Sequence, residues 1–191
     1  LRAIYRAAKA GGRLSIMAPM ITSLSEVLAL RAVCDRIRAE IGAPEVPIGI
    51  MVEVPAAAAM ADRFAPHVDF FSIGTNDLTQ YTLAIDRQHP DLAIEADALH
   101  PAVLRLVAET VRGAATCGRW VGVCGGIAGD PFGASILAGL GVAELSMTPR
   151  DVPAVKARLR SAGFSDLEAL AKRALDCDGA DQVRALEGGR S

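Results

Sequence analysis

Five short apolar runs, each followed by a stretch of helical spacing, limit this chain more than any other feature. The runs are Leu14 to Met17, Ile48 to Val52, Phe70 to Ile73, Val121 to Cys124 and Ala143 to Met147. Their β-branched, aromatic and aliphatic side chains suit strands. Strict alternation of such strands with helices means parallel strands under covering helices, either an open doubly wound sheet or part of a β/α barrel. A closed (β/α)8 barrel needs eight strands and typically about 250 residues. The chain has 191 residues, so on the barrel reading roughly three N-terminal β/α units are absent. It opens on Leu1 inside a helical pattern, which reads as a piece of something longer.

The helices mark their own ends. Residues 1–10 read as the end of an amphipathic helix closed by Gly11-Gly12. Ser23-x-x-Glu26 has the form of a capping box. Val27, Leu30, Val33, Cys34, Ile37 and Ile41 then recur at helical spacing until Gly42. Pro55 and four alanines lead into a helix carrying Met60 and Phe64, and Asp77 begins one that runs through Thr82. Gln88 to Leu99 is the longest loop. Pro101 takes a first helical position, with Val103, Leu104, Val107 and Val111 as the buried stripe. Asp130-Pro131 caps a helix through Leu137 and Leu140, Pro153 to Leu159 is helical, and Ser165-x-x-Glu168 caps a last helix through Leu175. Residues 1–177 form one domain, and the polar, glycine-rich residues 178–191 are expected to fray.

With 51% hydrophobic and 22% charged residues, one sizeable core is affordable. A net charge of −2 and a pI near 5.9 give no electrostatic reason to expect nucleic acid or an anionic membrane. No apolar run approaches the roughly 20 residues that span a bilayer, and no secretory signal pattern precedes the domain. Cys34, Cys117, Cys124 and Cys177 are scattered without a C-x-x-C pair. A reducing, cytoplasmic compartment is the expectation.

Chemistry collects where strands end. The second run ends in Glu53, the third in Gly74-Thr75-Asn76-Asp77, and the fourth in Cys124. Parallel architectures bring the carboxyl ends of all strands to one face, so these groups should converge. Glu53 and Asp77 suit Mg²⁺, which takes one or two carboxylates and fills its other positions with water and substrate oxygens. Glu53 otherwise pairs a buried arginine or caps a helix, and Asp77 otherwise caps the helix that follows it, a place Asn76 also contests. Arg87 is either a bidentate phosphate clamp or a solvated arginine. Cys124 has three readings: a small buried hydrophobe, a nucleophile, for which no base lies near in sequence, or a neutral thiol that donates a proton. Cys34 and Cys177 look structural, the six-residue gap from Cys117 to Cys124 argues against a metal pair, and His67, His89 and His100 read as structural or surface residues.

Val52-Glu53-Val54-Pro55, Asp69 to Arg87 and Gly122-Val123-Cys124-Gly125-Gly126 together resemble enzyme I of the bacterial phosphoenolpyruvate-dependent sugar phosphotransferase system. The similarity runs from Leu1-Arg2-Ala3-Ile4 through Met17-x-Pro19-Met20 to Leu145-Ser146-Met147, and Ser72 to Arg87 is its most specific part. The resemblance implies the phosphoenolpyruvate-binding (β/α)8 TIM-type barrel of that family, represented here by about five β/α units, and a dimer interface on the same domain. It implies Mg²⁺ held by Glu53 and Asp77, the phosphoryl group held by Asn76 and Arg87, and Cys124 as proton donor to the enolate when pyruvate forms. The phosphoryl group would pass to a histidine on a separate domain and on to the histidine phosphocarrier protein. Nothing here matches the surroundings of that histidine, nor the arginines of the family's first three strands. On this view the fragment alone is inactive. Gly126 stands where many enzymes I carry Glu, and the Cys-Gly-Gly form resembles the fused multiphosphoryl transfer proteins.

Pyruvate phosphate dikinase and phosphoenolpyruvate synthase resemble the chain around Asn76-Asp77 and Cys124-Gly125, but Gln80 to Arg87 favours enzyme I. An inactive oligomerisation or regulatory module is the non-enzyme alternative. Retention of Glu53, Asn76, Asp77, Arg87 and Cys124 argues against it.

Overall fold

A computed structural model describes residues 1–86, 88–90, 92 and 95–188. In chain order its elements are α1 (Arg2–Lys9), β1 (Ile16–Ala18), α2 (Leu24–Ile41), β2 (Ile48–Val52), α3 (Pro55–Ala59), α4 (Ala61–Phe64), β3 (Phe70–Gly74), α5 (Thr75–Leu83), α6 (Pro101–Ala115), β4 (Trp120–Cys124), α7 (Gly126–Gly129), α8 (Pro131–Gly139), β5 (Glu144–Ser146), α9 (Val152–Arg160), α10 (Phe164–Leu175) and α11 (Ala180–Ala185). A 3-10 turn, Ala65–His67, joins α4 to β3.

Among the described residues the strands make one parallel sheet in the order β1-β2-β3-β4-β5. Each strand pairs with its neighbours in sequence and the order never reverses. Among these five strands there is no reversal of the kind a doubly wound sheet uses, and the sheet winds in one direction. One face of it packs under the helices. Ile48, Ile50, Val52, Phe71, Ile73, Val121 and Val123 all belong to that face and to the two apolar clusters. Phe132, Ile136 and Leu137 of α8 close the main cluster at 1% exposure or less, each burial worth about 1.5–3 kcal/mol.

Among the described residues the other face has no helix packed into a cluster with it. Met17 and Trp120 there are 39% and 43% exposed, and Glu144 and Ser146 are also exposed. Phe70 stacks on Trp120 with ring centroids 4.8 Å apart and fills the space over Gly49. The apolar β2 run suggests cover on both faces. Helices supply only half of that cover, and Phe70 stands in for part of the rest.

The expected caps recur with two differences. Glu26 accepts the Ser23 N–H, and Asp130 accepts the N–H groups of Phe132 and Gly133. Pro101 opens α6, with His100 Nδ1 accepting the Ala102 N–H, a structural role for that histidine. The expected cap at Ser165 moves two residues earlier: α10 starts at Phe164, and Asp166 reaches back to the Gly163 N–H. The stretch expected to fray carries α11 over Ala180–Ala185, and its Val183 is fully buried.

Asp69 steadies the opposite end of the sheet. It accepts the Ile48 N–H and pairs with Arg31 at 3.0 Å, and Arg119 approaches its other oxygen. Arg31 also donates to the His67 carbonyl, so the entry into β3 is tied down before the strand reaches the site.

Candidate functional site

The register decides what meets at the carboxyl edge. Val52 pairs with Ile73, Gly74 with Cys124, and Cys124 with Ser146. Glu53 therefore sits level with Gly74, and side chains at this level share the uncovered face because strand residues alternate.

Gly74 makes room for Glu53. A Cβ on Gly74 would lie 2.7 Å from Glu53 Cγ and 3.0 Å from Oε1, so the carboxylate rests across the end of β3. Glu53 is 7% exposed. Its Oε2 accepts the Met20 N–H at 2.9 Å, and Met20 just past β1 holds a left-handed φ of 53° to deliver that N–H. Such a conformation is strained for a residue other than glycine. Among the described contacts the partner of Glu53 is a backbone N–H of a neighbouring loop, neither an arginine nor a helix end.

The first turn of α5 carries the polar groups. The helix begins at Thr75 and its N-cap is Gly74, so neither Asn76 nor Asp77 caps it. Both lie inside the first turn, where the helix dipole favours an acid. Asp77 is half-buried and Asn76 exposed. Two hydrogen bonds stitch this turn to the end of β4: fully buried Thr75 donates to the Cys124 carbonyl at 3.0 Å, and the Gly126 N–H donates to Asn76 Oδ1 at 3.3 Å. Gly125 between them has φ +116°, and a Cβ there would come 2.2 Å from Thr75 Oγ1. Only glycine fits.

Cys124 is half-buried and free. Its thiol donates to the Ile73 carbonyl at 3.6 Å and accepts from Ser72 Oγ at 3.9 Å. No nitrogen base touches it among the described contacts, which disfavours the nucleophile reading. With Asn76, Gly126, Ser146, Thr148 and Asp151 it lines a cavity of about 420 Å³. Arg87 lies outside the described residues.

The sequence reading missed several of these groups. Ser72 and Ser146 share the face of Cys124, and strand alternation alone could have placed them there. Thr148 and Asp151 hold each other through a 2.7 Å bond, and the T-x-x-D spacing was a readable signal. Met20 gave none.

Glu53 at the end of β2 and Asp77 in the first turn of α5 are ligands of the type Mg²⁺ takes, its remaining positions going to water and substrate oxygens. The gap above Gly74, which a Cβ would fill, leaves the Glu53 carboxylate at the edge. No group of three or more potential protein ligands is found among the described residues. No helix of the described residues is long and apolar enough to cross a membrane.

Residues 1–164 match the family described as PEP-utilising enzyme, PEP-binding domain. The chain is 70% identical over its whole length to the multiphosphoryl transfer protein of Xanthomonas campestris, and 56% identical over 98% of its length to that of Rhodobacter capsulatus. It is 45% identical, over 97% of its length, to the phosphoenolpyruvate-protein phosphotransferase of Haloferax volcanii. It spans 23%, 22% and 34% of these three relatives. The crystal structure of a citrate lyase from Burkholderia xenovorans covers 98% of the chain at a TM-score of 0.62 and 18% identity, with 66% of that chain matched. At that identity the likeness concerns the fold.

Proposed function

Since the chain belongs to the PEP-utilising enzymes through their PEP-binding domain, we propose that it is the phosphoenolpyruvate site of a cytoplasmic phosphoenolpyruvate-protein phosphotransferase. The relatives' names support a transferase. The observation that carries the reading is the meeting of Glu53, the first turn of α5 and the Cys124 thiol at one sheet edge. The one-way sheet with an uncovered face supports a (β/α)8 barrel, its remaining strands coming from elsewhere in a longer protein. Residues 1–177 are its contribution to that barrel.

In this reading Glu53 and Asp77 hold Mg²⁺, which neutralises charge on phosphoryl and enolate oxygens when bound. Asn76 and Arg87 hold the phosphoryl group in line with the incoming imidazole. A nitrogen of a histidine on another domain forms the new N–P bond while the bond from phosphorus to the enol oxygen breaks, leaving the enolate of pyruvate. The Cys124 thiol then gives its proton to the terminal enolate carbon. A C–H bond forms, and the thiolate left behind recovers a proton from water. Ser72 Oγ donates toward the sulfur and can stabilise it as its charge changes. The histidine phosphocarrier protein receives the phosphoryl group next, and the protein works as a homodimer through this domain.

Radiolabelled phosphoenolpyruvate, given to the full-length protein with the phosphocarrier and Mg²⁺, should label histidine on both and release pyruvate in equal amount. Transfer to a nucleotide in place of histidine would refute the reading in favour of a dikinase or synthase.

A further inference from the structure

We infer that the ion pair between Arg184 and Asp97 positions the phosphoryl-binding side of the site through a cavity wall shared with Asn76. This rests on the function proposed above. Arg184 stands on α11, beyond the last residue matched by the family, 164. Its guanidinium grips Asp97 with both arms, Nε to Oδ2 at 2.7 Å and Nη2 to Oδ1 at 3.0 Å, the geometry that fixes direction as well as distance. The helix behind it is anchored, because Val183 is fully buried in the main apolar cluster and Leu186 packs against it.

Asp97 is equally tied into its own segment. Its Oδ1 accepts the Leu99 N–H at 2.9 Å, and Leu99 is 1% exposed in the same cluster. Its carbonyl accepts the N–H of His100, which caps α6. The pair therefore clamps the end of the connection between α5 and α6 onto a helix 87 positions away.

Arg184 and Asp97 line a cavity of about 470 Å³ together with Asn76, Gly126, Ile127 and Asp130. Asp130 lies near enough to act on Arg184 electrostatically, but its carboxylate oxygens already accept the Phe132 and Gly133 N–H groups at the start of α8. Asn76 is exposed, and Gly126 reaches its Oδ1 through a long bond. Residues 96–98 and Arg184 line the same cavity as this amide, so the clamp sets the position of the wall that Asn76 shares. With the clamp released, residues 96–98 can withdraw and the cavity beside Asn76 changes shape.

The test compares Asp97→Asn and Arg184→Ala with the wild type in the full-length protein, following phosphoenolpyruvate-dependent phosphorylation of the phosphocarrier. Asp97→Asn keeps an acceptor for Leu99 and loses the charge. Each variant should raise KM for phosphoenolpyruvate about fivefold, with kcat within about twofold, and the double variant should do no worse than either. Arg184→Lys, which keeps the charge and loses the fork, should fall between. An unchanged KM in folded Asp97→Asn and Arg184→Ala overturns the inference even if their melting points fall, since a merely structural pair would act there alone. If the wild type moves no phosphoryl group from phosphoenolpyruvate, the functional reading fails and takes this inference with it. Should Arg184→Ala not fold, Asp97→Asn decides by the same criterion.

Discussion

Ser72 Oγ lies 3.9 Å from Cys124 Sγ across the boundary between β3 and β4, while the thiol itself donates to the Ile73 carbonyl. One strand thus gives the sulfur both a donor and an acceptor, which aims the S–H and supports the sulfur once the proton has left. In the full-length protein Cys124→Ala should block pyruvate formation and leave phosphoenolpyruvate binding largely intact. Ser72→Ala should slow pyruvate release several-fold with little change in binding. Normal turnover in Cys124→Ala would remove the thiol from the mechanism.

Glu53→Gln separates charge from shape. The amide oxygen can still accept the Met20 N–H, so melting should stay within about 3 °C of the wild type. Calorimetric titration with Mg²⁺ in the presence of phosphoenolpyruvate should nevertheless show weakened metal binding. Asp77→Ala should abolish activity, and magnesium dependence left unchanged in either variant would count against the assignment.

Gly125→Ala meets two obstacles at once, a φ of +116° and the Thr75 hydroxyl 2.2 Å from the new carbon. A loss of about 2–4 kcal/mol in urea denaturation is expected. Gly126 is the control: a Cβ there meets nothing within 4 Å. Gly126→Ala should change stability by less than about 0.5 kcal/mol, and Gly126→Glu should fold equally well.

Acid should loosen the start of α2. The N–H groups of Thr22 and Ser23 and the Thr22 hydroxyl donate to Glu26, holding its carboxyl below the usual range. A lowered folded value means the contribution is present above the unfolded value and fades as pH falls through the folded one. A melting curve of Glu26→Gln against wild type should differ most near neutral pH and converge at low pH. A constant gap would show that the carboxylate charge is not involved.

The sheet and most caps were legible because each has a local signature: apolar runs for strands, Ser23-x-x-Glu26 and Asp130-Pro131 for helix starts. The misread start of α10 came from a second cap-like pattern, Ser165 and Glu168, lying inside the helix while Asp166 did the capping. Helix α11 was hidden because Val183 and Leu186 are the only large apolar residues in a polar, glycine-rich stretch, too few to set a period. At the site, acids and a thiol at strand ends announced themselves, since charge there has few structural uses. Ser72 was concealed within an apolar run, and the left-handed Met20 could not be read at all, because nothing in a methionine signals positive φ. The pairing of Arg184 with Asp97 depends on a fold-wide meeting that no local pattern encodes.

The sheet order has a consequence for how the protein is made. Each of β2 to β5 finds a partner in the strand synthesised just before it, so none of these four must wait for a distant segment to leave the ribosome. The growing edge moves with the nascent chain, and the thiol of β4 meets the α5 turn as soon as its own strand docks. A codon-level pause between β3 and β4 should therefore be tolerated, since the half-sheet behind it is already paired.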